Sequence, residues 1–439
     1  MRVSYSRRMG LWQVPIAEGP VPVTVVALAV IVLAILAVRR WRTRPLVWAL
    51  AGAAAGAVIG YGTYRLVNAT NVFGDAVPPF VWHWTAAAFA AVGFALGGMV
   101  GARTWRRVLA GVGVVVFVVA GVVVNMRFGI NPTPGSLLGV ADSIDLPTDA
   151  GGAGSTAAPA QPLYTTWQAP AGTPAVGSRG SQEIPATTSG FDARPAGIYL
   201  PPAALVPGAP ALPLVIMMMG HPGAPDPTVI SNVLDGFAAQ HDGLAPIVIV
   251  ADQLGAAVND TACADSAAYG KARTYITVDV VDWAKKNLHI IDDPAYWTIA
   301  GYSNGGGGCA ATFGAQSPQL WKNILSVSGE PFGGSEQVAN VTKTIYGGSA
   351  AAFEASKPVN IMAAAAPGTY AGMTAIFTAG AQDPAYISAA DTVAAQARAV
   401  GMTVVRYDVP GAGHVGDALT GGLAEGFTVL YPVLGLSAG

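Results

Sequence analysis

The sequence predicts an α/β fold, a mostly parallel sheet with helices on both faces, preceded by an all-α region of four transmembrane helices. Three observations carry that prediction: a shift in charge and hydropathy near residue 130, four apolar stretches before it, and alternating strand-like and helix-like patterns after it. At 439 residues the chain is too long for one ordinary domain, so two units with separate burial problems are expected. The expected divisions are 1–130 (membrane region), 131–162 (juxtamembrane segment and flexible linker) and 163–439 (α/β domain).

The charge shift comes first. Of 23 Lys plus Arg residues, twelve fall in residues 1–130, all of them Arg, beside only two acids, Glu18 and Asp75. The remainder holds eleven basic and 23 acidic residues, so the halves stand at +10 and −12 while the whole chain is −2. A basic segment that is otherwise apolar points to a membrane and its lipids. No Lys-rich patch or aromatic–basic interleaving is present, so nucleic acid is not an expected partner.

Residues 21–38, 45–64, 80–101 and 108–124 are apolar and of spanning length or nearly so, given roughly 30 Å of hydrocarbon and about 1.5 Å per helical residue. They lack the polar face that a soluble core helix keeps. The second and third are rich in Gly and Ala, which lets helices approach closely. Orientation follows from arginine: the loops 39–44 and 103–107 hold four and three Arg, the loop 68–79 none. The positive-inside rule then puts the Arg loops in the cytoplasm and both termini outside, although Arg2, Arg7 and Arg8 in the N-terminal tail oppose this. His83, between Trp82 and Trp84, reads as part of an interfacial aromatic belt, and Arg65 as a snorkelling side chain. Multi-pass insertion in the plasma membrane, with the C-terminal domain extracytoplasmic, is the expected location.

Residues 142–161 are dense in Gly, Ala, Ser, Thr and Pro and read as a flexible tether. Beyond it, strands are expected at 197–200, 212–219, 246–251, 296–300, 324–328, 374–379 and 403–408. Helices are expected at 228–240, 272–287, 306–315, 387–400 and 416–430. Such alternation implies βαβ units, and a parallel sheet places its chemistry at the carboxyl ends of its strands.

Directly after the fourth of these strands stands Gly301-Tyr302-Ser303-Asn304-Gly305, a G-x-S-x-G pattern leading into a Gly-rich helix start. In a nucleophile elbow, glycines permit the tight turn that lifts the Ser hydroxyl above the sheet. A serine needs a base, and His414, in a Gly-rich loop after the last strand, is the only histidine that follows Ser303. The acid that orients the imidazole should lie between them. Asp383, after the strand 374–379, is the best placed, and Glu330, after the strand 324–328, is the alternative. Oxyanion donors are expected from the backbone N–H of Asn304 and of His221, the latter in the turn Gly220-His221-Pro222-Gly223. Asp252, Asp260 and Asp265 read as helix caps or as shapers of the cleft rim. The five His and two Cys show no metal-ligand spacing, so no metal or cofactor is expected.

In this order GIYLPP, PLVIMMMGHPGAP, GYSNGG, SVSGE and PGAGH resemble the esterase D family of α/β-hydrolases, which includes the mycobacterial mycolyltransferases. The four-span anchor and the phrase NPTPGSLLG at 131–139 resemble actinobacterial membrane esterases. The resemblance covers most of 165–439 and implies an α/β-hydrolase fold. It also implies acyl-ester chemistry outside the membrane without metal or cofactor. One departure is that Met219-Gly220 stands where the family commonly has His-Gly. Three functions stay open: an exported ester or lipid hydrolase, an acyltransferase to an envelope sugar or lipid, and a non-catalytic envelope-binding module on the same scaffold. In an exported domain the two cysteines, Cys263 and Cys309, are expected to pair, the alternative being two buried thiols.

Overall fold

The computed structural model describes residues 43–70, 80–98 and 154–438 without 257 and 258, together with scattered positions before 154. Apart from such positions, the expected spans 21–38 and 108–124, the loop 103–107, the phrase 131–139 and the first part of the tether lie outside the described residues. The chain divides into two compact units, Met1–Val140 and Ala141–Gly439.

In the first unit, helix α1 (Thr43–Thr70) packs along α2 (Phe80–Gly98). Glycine makes the contact a backbone one. A side chain at Gly52 would run into the Gly93 carbonyl, at Gly56 into the Phe89 carbonyl and at Gly97 into the Trp48 carbonyl. Large apolar side chains such as Val47, Leu50, Val58, Ile59 and Leu66 are left exposed. Among the described residues one helix, Leu46–Ala69, is long and apolar enough to cross a membrane; Val81–Phe94 is a shorter apolar helix.

The second unit is built on an eight-stranded sheet: β1 (Ser178–Gln182), β2 (Ala196–Leu200), β3 (Leu214–Met218), β4 (Ile247–Val250), β5 (Trp297–Tyr302), β6 (Asn323–Val327), β7 (Thr374–Gly380) and β8 (Thr403–Val409). Its spatial order is β1-β2-β4-β3-β5-β6-β7-β8. Strand β2 runs antiparallel to β1 and β4, and the remaining pairs are parallel. This mostly parallel sheet with its helices is consistent with the α/β-hydrolase fold. Strands β2, β3, β4 and β6 are buried at every residue, as expected in a sheet covered on both sides; β3 and β4 are unbroken apolar runs, while β6 also buries Asn323 and Ser326.

The main helices after β3 are α3 (Thr228–Ala238), α4 (Val280–Asn287), α5 (Thr312–Gln316), α6 (Val338–Thr344), α7 (Ala350–Ser356), α8 (Pro358–Ala364), α9 (Pro384–Ala399) and α10 (Asp417–Val433). Alternation along β6 sorts two of them by face. Gly314 of α5 lies against Ile324, whereas Gly422 and Gly426 of α10 lie against Val327 and Leu325, which point the other way. On the α10 side, Phe237 of α3 stacks on Tyr431 with ring centroids 4.7 Å apart.

Four features differ from the sequence expectations. Strand β1 was not expected: SRGSQ is polar and only half-buried, as an antiparallel edge strand allows. Helices α6 to α8 fill residues 338–364, where no element was expected. Val341 of α6 and Phe353 of α7 form a small apolar cluster with Ala262 and Phe332, whereas Met362 of α8 packs into the main core. The helices expected at 272–287 and 306–315 contain wide π-type turns, Tyr275–Asp279 and Asn304–Ala311. The end of the stretch read as a tether is held to the domain, with Ser155 N–H donating to the Lys285 carbonyl at 2.9 Å and Thr156 N–H to the Ile290 carbonyl at 2.9 Å.

Candidate active site

Strand β5 ends at Tyr302, and Ser303 follows with φ 55° and ψ −118°, a left-handed backbone that L-residues avoid. Its neighbours explain the pattern in the sequence. A side chain at Gly301 would strike the Gly305 carbonyl, and one at Gly305 would strike the Met218 carbonyl. The strained turn is held by backbone bonds: Ser303 N–H donates to the Val327 carbonyl at 3.0 Å, and the Ser303 carbonyl accepts from Gly306 N–H at 2.9 Å and Glu330 N–H at 3.2 Å.

Two loops distant in sequence supply the rest. The turn after β7 and the loop after β8 are joined by Gln382 N–H to the Ala412 carbonyl at 2.8 Å and Ala381 N–H to the Val409 carbonyl at 3.0 Å. Asp383 and His414 thereby share one edge. The Ser303 Oγ lies 2.9 Å from His414 Nε2, and His414 Nδ1 lies 3.1 Å from Asp383 Oδ2. With the ring proton on Nδ1, that nitrogen donates to Asp383 and Nε2 is free to accept the serine proton. Tyr302 Oη donates to the His414 carbonyl at 2.8 Å, which fixes the base's backbone from the side of the elbow.

The alternative acid lies elsewhere. Glu330 is buried beneath the elbow, where its carboxylate accepts from Ser335 Oγ at 3.1 Å. Burial, with the nearby Glu336 and Asp260, pushes its pKa well above the usual carboxylate range, against hydrogen bonds from Ser335 and Asn304. Among the described residues the Nδ1 partner of His414 is Asp383.

On the opposite side of Ser303 runs the turn after β3. A side chain at Gly220 would stand 3.3 Å from the Ser303 Cβ, so the turn carrying His221 passes close to Ser303. The His221–Pro222 peptide is cis, and the His221 Nε2 is buried without a hydrogen-bond partner among the described residues. Asn304 opens the helical turn, and the first N–H groups of a helix have no intrahelical acceptor, which leaves its N–H available.

The turn is braced by Asp252 together with Arg194 and Gln253, two residues that the sequence reading did not single out. Asp252, fully buried after β4, accepts from Arg194 Nη2 at 2.6 Å and Nε at 2.9 Å. The same guanidinium donates from Nη1 to the Gly223 carbonyl at 2.8 Å. Gln253 Nε2 donates to the Met219 carbonyl at 2.6 Å and lies 3.4 Å from Asn304 Oδ1. Of the three aspartates read as caps or rim, Asp260 caps Ala262 N–H at 2.8 Å and Asp265 caps Thr274 N–H at 2.9 Å. Asp252 does more than cap. Its signal was a charged residue directly after a buried apolar strand, which requires a buried partner.

Cys263 and Cys309 are disulfide-bonded, with Cα atoms 5.2 Å apart. The bond ties the loop after β4 to the helical turn that begins one residue after Ser303. Among the described residues no group of three or more His, Cys, Asp or Glu is arranged to hold a metal ion.

No protein-family model matches the chain. It is 35% identical over 237 residues to an uncharacterized protein of Corynebacterium glutamicum, a match covering 52% of this chain; the chain spans about half (54%) of that relative's length. Similar solved structures include an S-formylglutathione hydrolase from Agrobacterium tumefaciens, at 15% identity and a TM-score of 0.46, covering 60% of this chain and 98% of the other. A fluorophosphonate-binding serine hydrolase of Staphylococcus aureus is similar at 16% identity and a TM-score of 0.45, covering 59% and 99%. What the site does is read from its own atoms.

Proposed function

We propose that the chain is a membrane-anchored serine ester hydrolase or acyltransferase that works through an acyl-enzyme on Ser303. The observation that carries this reading is the continuous path from Ser303 Oγ through the His414 imidazole to Asp383, with steps of 2.9 and 3.1 Å, at the end of a strained turn. Strain of this kind persists where surrounding structure over-determines it, and it exposes the hydroxyl.

In the reaction, Ser303 Oγ bonds to the acyl carbon while His414 Nε2 takes its proton. Asp383 holds the Nδ1–H tautomer and offsets the imidazolium charge. The N–H groups of Asn304 and His221 receive the developing oxyanion. Collapse breaks the bond to the alcohol, which leaves with the proton from His414. Water or an acceptor alcohol then repeats the sequence in reverse and frees Ser303, so hydrolysis and transfer share one intermediate.

The same proposal includes the four-span anchor and an extracytoplasmic domain. Its support is the arginine distribution, the apolar exterior of α1 and the pairing of the two cysteines, which persists in an oxidising compartment. The substrate is an acyl ester or lipid at the outer membrane side, met without metal or cofactor. The test is fluorophosphonate labelling of membranes with Ser303→Ala as control, followed by product analysis with and without an acceptor lipid or sugar. Labelling that survives in Ser303→Ala overturns the assignment. A C-terminal tag should be reached by reagents that do not enter cells, and protection of that tag until lysis inverts the topology.

A further inference from the structure

We infer that Tyr386 is a positioning residue for the catalytic base: its ring face holds the His414 imidazole and favours the imidazolium formed during acyl transfer. The inference rests on the serine-hydrolase reading above and assigns a part in it to a side chain outside the triad.

Tyr386 stands three residues after Asp383, in the first turn of α9, so the element that presents the acid also presents the ring. Its ring centroid lies 3.9 Å from that of His414, with the planes inclined by 32°. On the elbow side Tyr302 lies 5.5 Å away at 23°, so the imidazole has an aromatic neighbour on each of two elements. Tyr386 Oη donates to Glu336 Oε1 at 3.0 Å. Burial, with the charges of Glu336 and Glu330, holds the phenol pKa far above its ordinary range, so the hydroxyl keeps its proton.

These contacts fix the ring at both ends. The backbone of α9 holds one, and the bond to Glu336, from the segment that carries α6 to α8, holds the other. The face between them lies against a ring that is neutral before attack and cationic once it has taken the serine proton. An aromatic face attracts a cation through its quadrupole, more strongly where water is excluded, and Tyr386 is almost wholly buried. The interaction therefore strengthens as the reaction proceeds, and that selectivity lowers the barrier without tightening substrate binding. Asp383 provides the charge at the edge of the imidazolium, and Tyr386 provides the face.

The experiment compares Tyr386→Leu, Tyr386→Met and Tyr386→Phe in the full chain in membranes, with a soluble acyl ester as substrate and fluorophosphonate labelling as a second readout. Leu and Met fill the space without an aromatic face; Phe keeps the face and loses the hydroxyl. In whichever of Leu and Met retains the thermal midpoint, kcat and the labelling rate should fall about tenfold, with KM within about twofold. Phe should restore both to within about threefold. Equal losses in Phe and the aliphatic variants, a loss confined to KM, or no loss at all overturns the assignment. Ser303→Ala separates the two levels: if it still labels and turns over, the hydrolase reading fails, whatever Tyr386 does.

Discussion

The carboxyl ends of β6 and β7 are neighbours in the sheet, and each is followed by an acid, Glu330 in one case and Asp383 in the other. Sequence position makes them near equals; their surroundings do not. The Asp383 turn is stitched to the loop after β8, and its carboxylate reaches His414 while keeping some contact with solvent. Glu330 donates its backbone N–H to the Ser303 carbonyl, and its buried carboxyl accepts from Ser335 Oγ. Which loop a strand-end turn is bonded to thus decides which acid reaches the imidazole, and the other lies within the fold.

The sharpest test of that difference is substitution by the isosteric amide. Asp383→Asn should lower kcat by about 10⁴, because the amide favours the wrong imidazole tautomer, while Glu330→Gln should change it by less than about fivefold. Steady-state rates on one soluble ester decide it, and the reverse ranking breaks the comparison. A third strand-end acid, Asp252 after β4, extends it. Arg194→Ala leaves that fully buried carboxylate unpaired and should reduce unfolding free energy by about 3 kcal/mol. Arg194→Ala should also slow acylation, since the guanidinium braces the Gly223 carbonyl in the turn beside Ser303. Denaturant midpoints and labelling rates on one preparation test both parts, and unchanged labelling removes the bracing role.

The disulfide ties the loop after β4 to the helical turn that follows Ser303. Replacing both Cys263 and Cys309 by Ser should cost about 2–4 kcal/mol, read as a lower thermal midpoint that reductant no longer changes. The smallest expected effect is again at Glu330. Its folded pKa lies above its unfolded one, so its stabilising contribution is complete below about pH 4.5 and is lost as pH rises toward the folded value. Melting curves across that window should flatten in Glu330→Gln. An unchanged slope means that the carboxyl is not held neutral.

Much of this arrangement was readable beforehand, and the misses share a cause. Strands β3 and β4 are unbroken apolar runs and β5 to β7 are largely apolar, and Ser303, Asp383 and His414 follow strand ends, where a parallel sheet exposes its chemistry. By contrast β1 is a polar edge strand without alternation, and α6 to α8 are short and rich in alanine and threonine, with little amphipathic pattern. The roles of Arg194 and Tyr386 depend on pairs separated by 58 and 50 residues, Arg194 with Asp252 and Tyr386 with Glu336. Local periodicity contains no information about such partners. Strand position alone puts Asp383 ahead of Glu330, and the bond from Gln382 N–H to the Ala412 carbonyl supplies the physical reason why the Asp383 turn lies beside His414.

The backbone contact between α1 and α2 implies a distinctive tolerance map for random single substitutions along the helix pair. Intolerance should recur every fourth residue along α1, at Gly52, Gly56 and Gly60, because even the methyl of alanine would overlap or crowd a backbone carbonyl of α2. A mirrored pair of sensitive sites should appear at Gly93 and Gly97. Gly62, two residues after the last of the series, has nothing within 4 Å of its missing side chain and should accept most apolar replacements. Glycine content alone would predict equal constraint at all six positions, whereas the packing predicts five that hold and one that drifts.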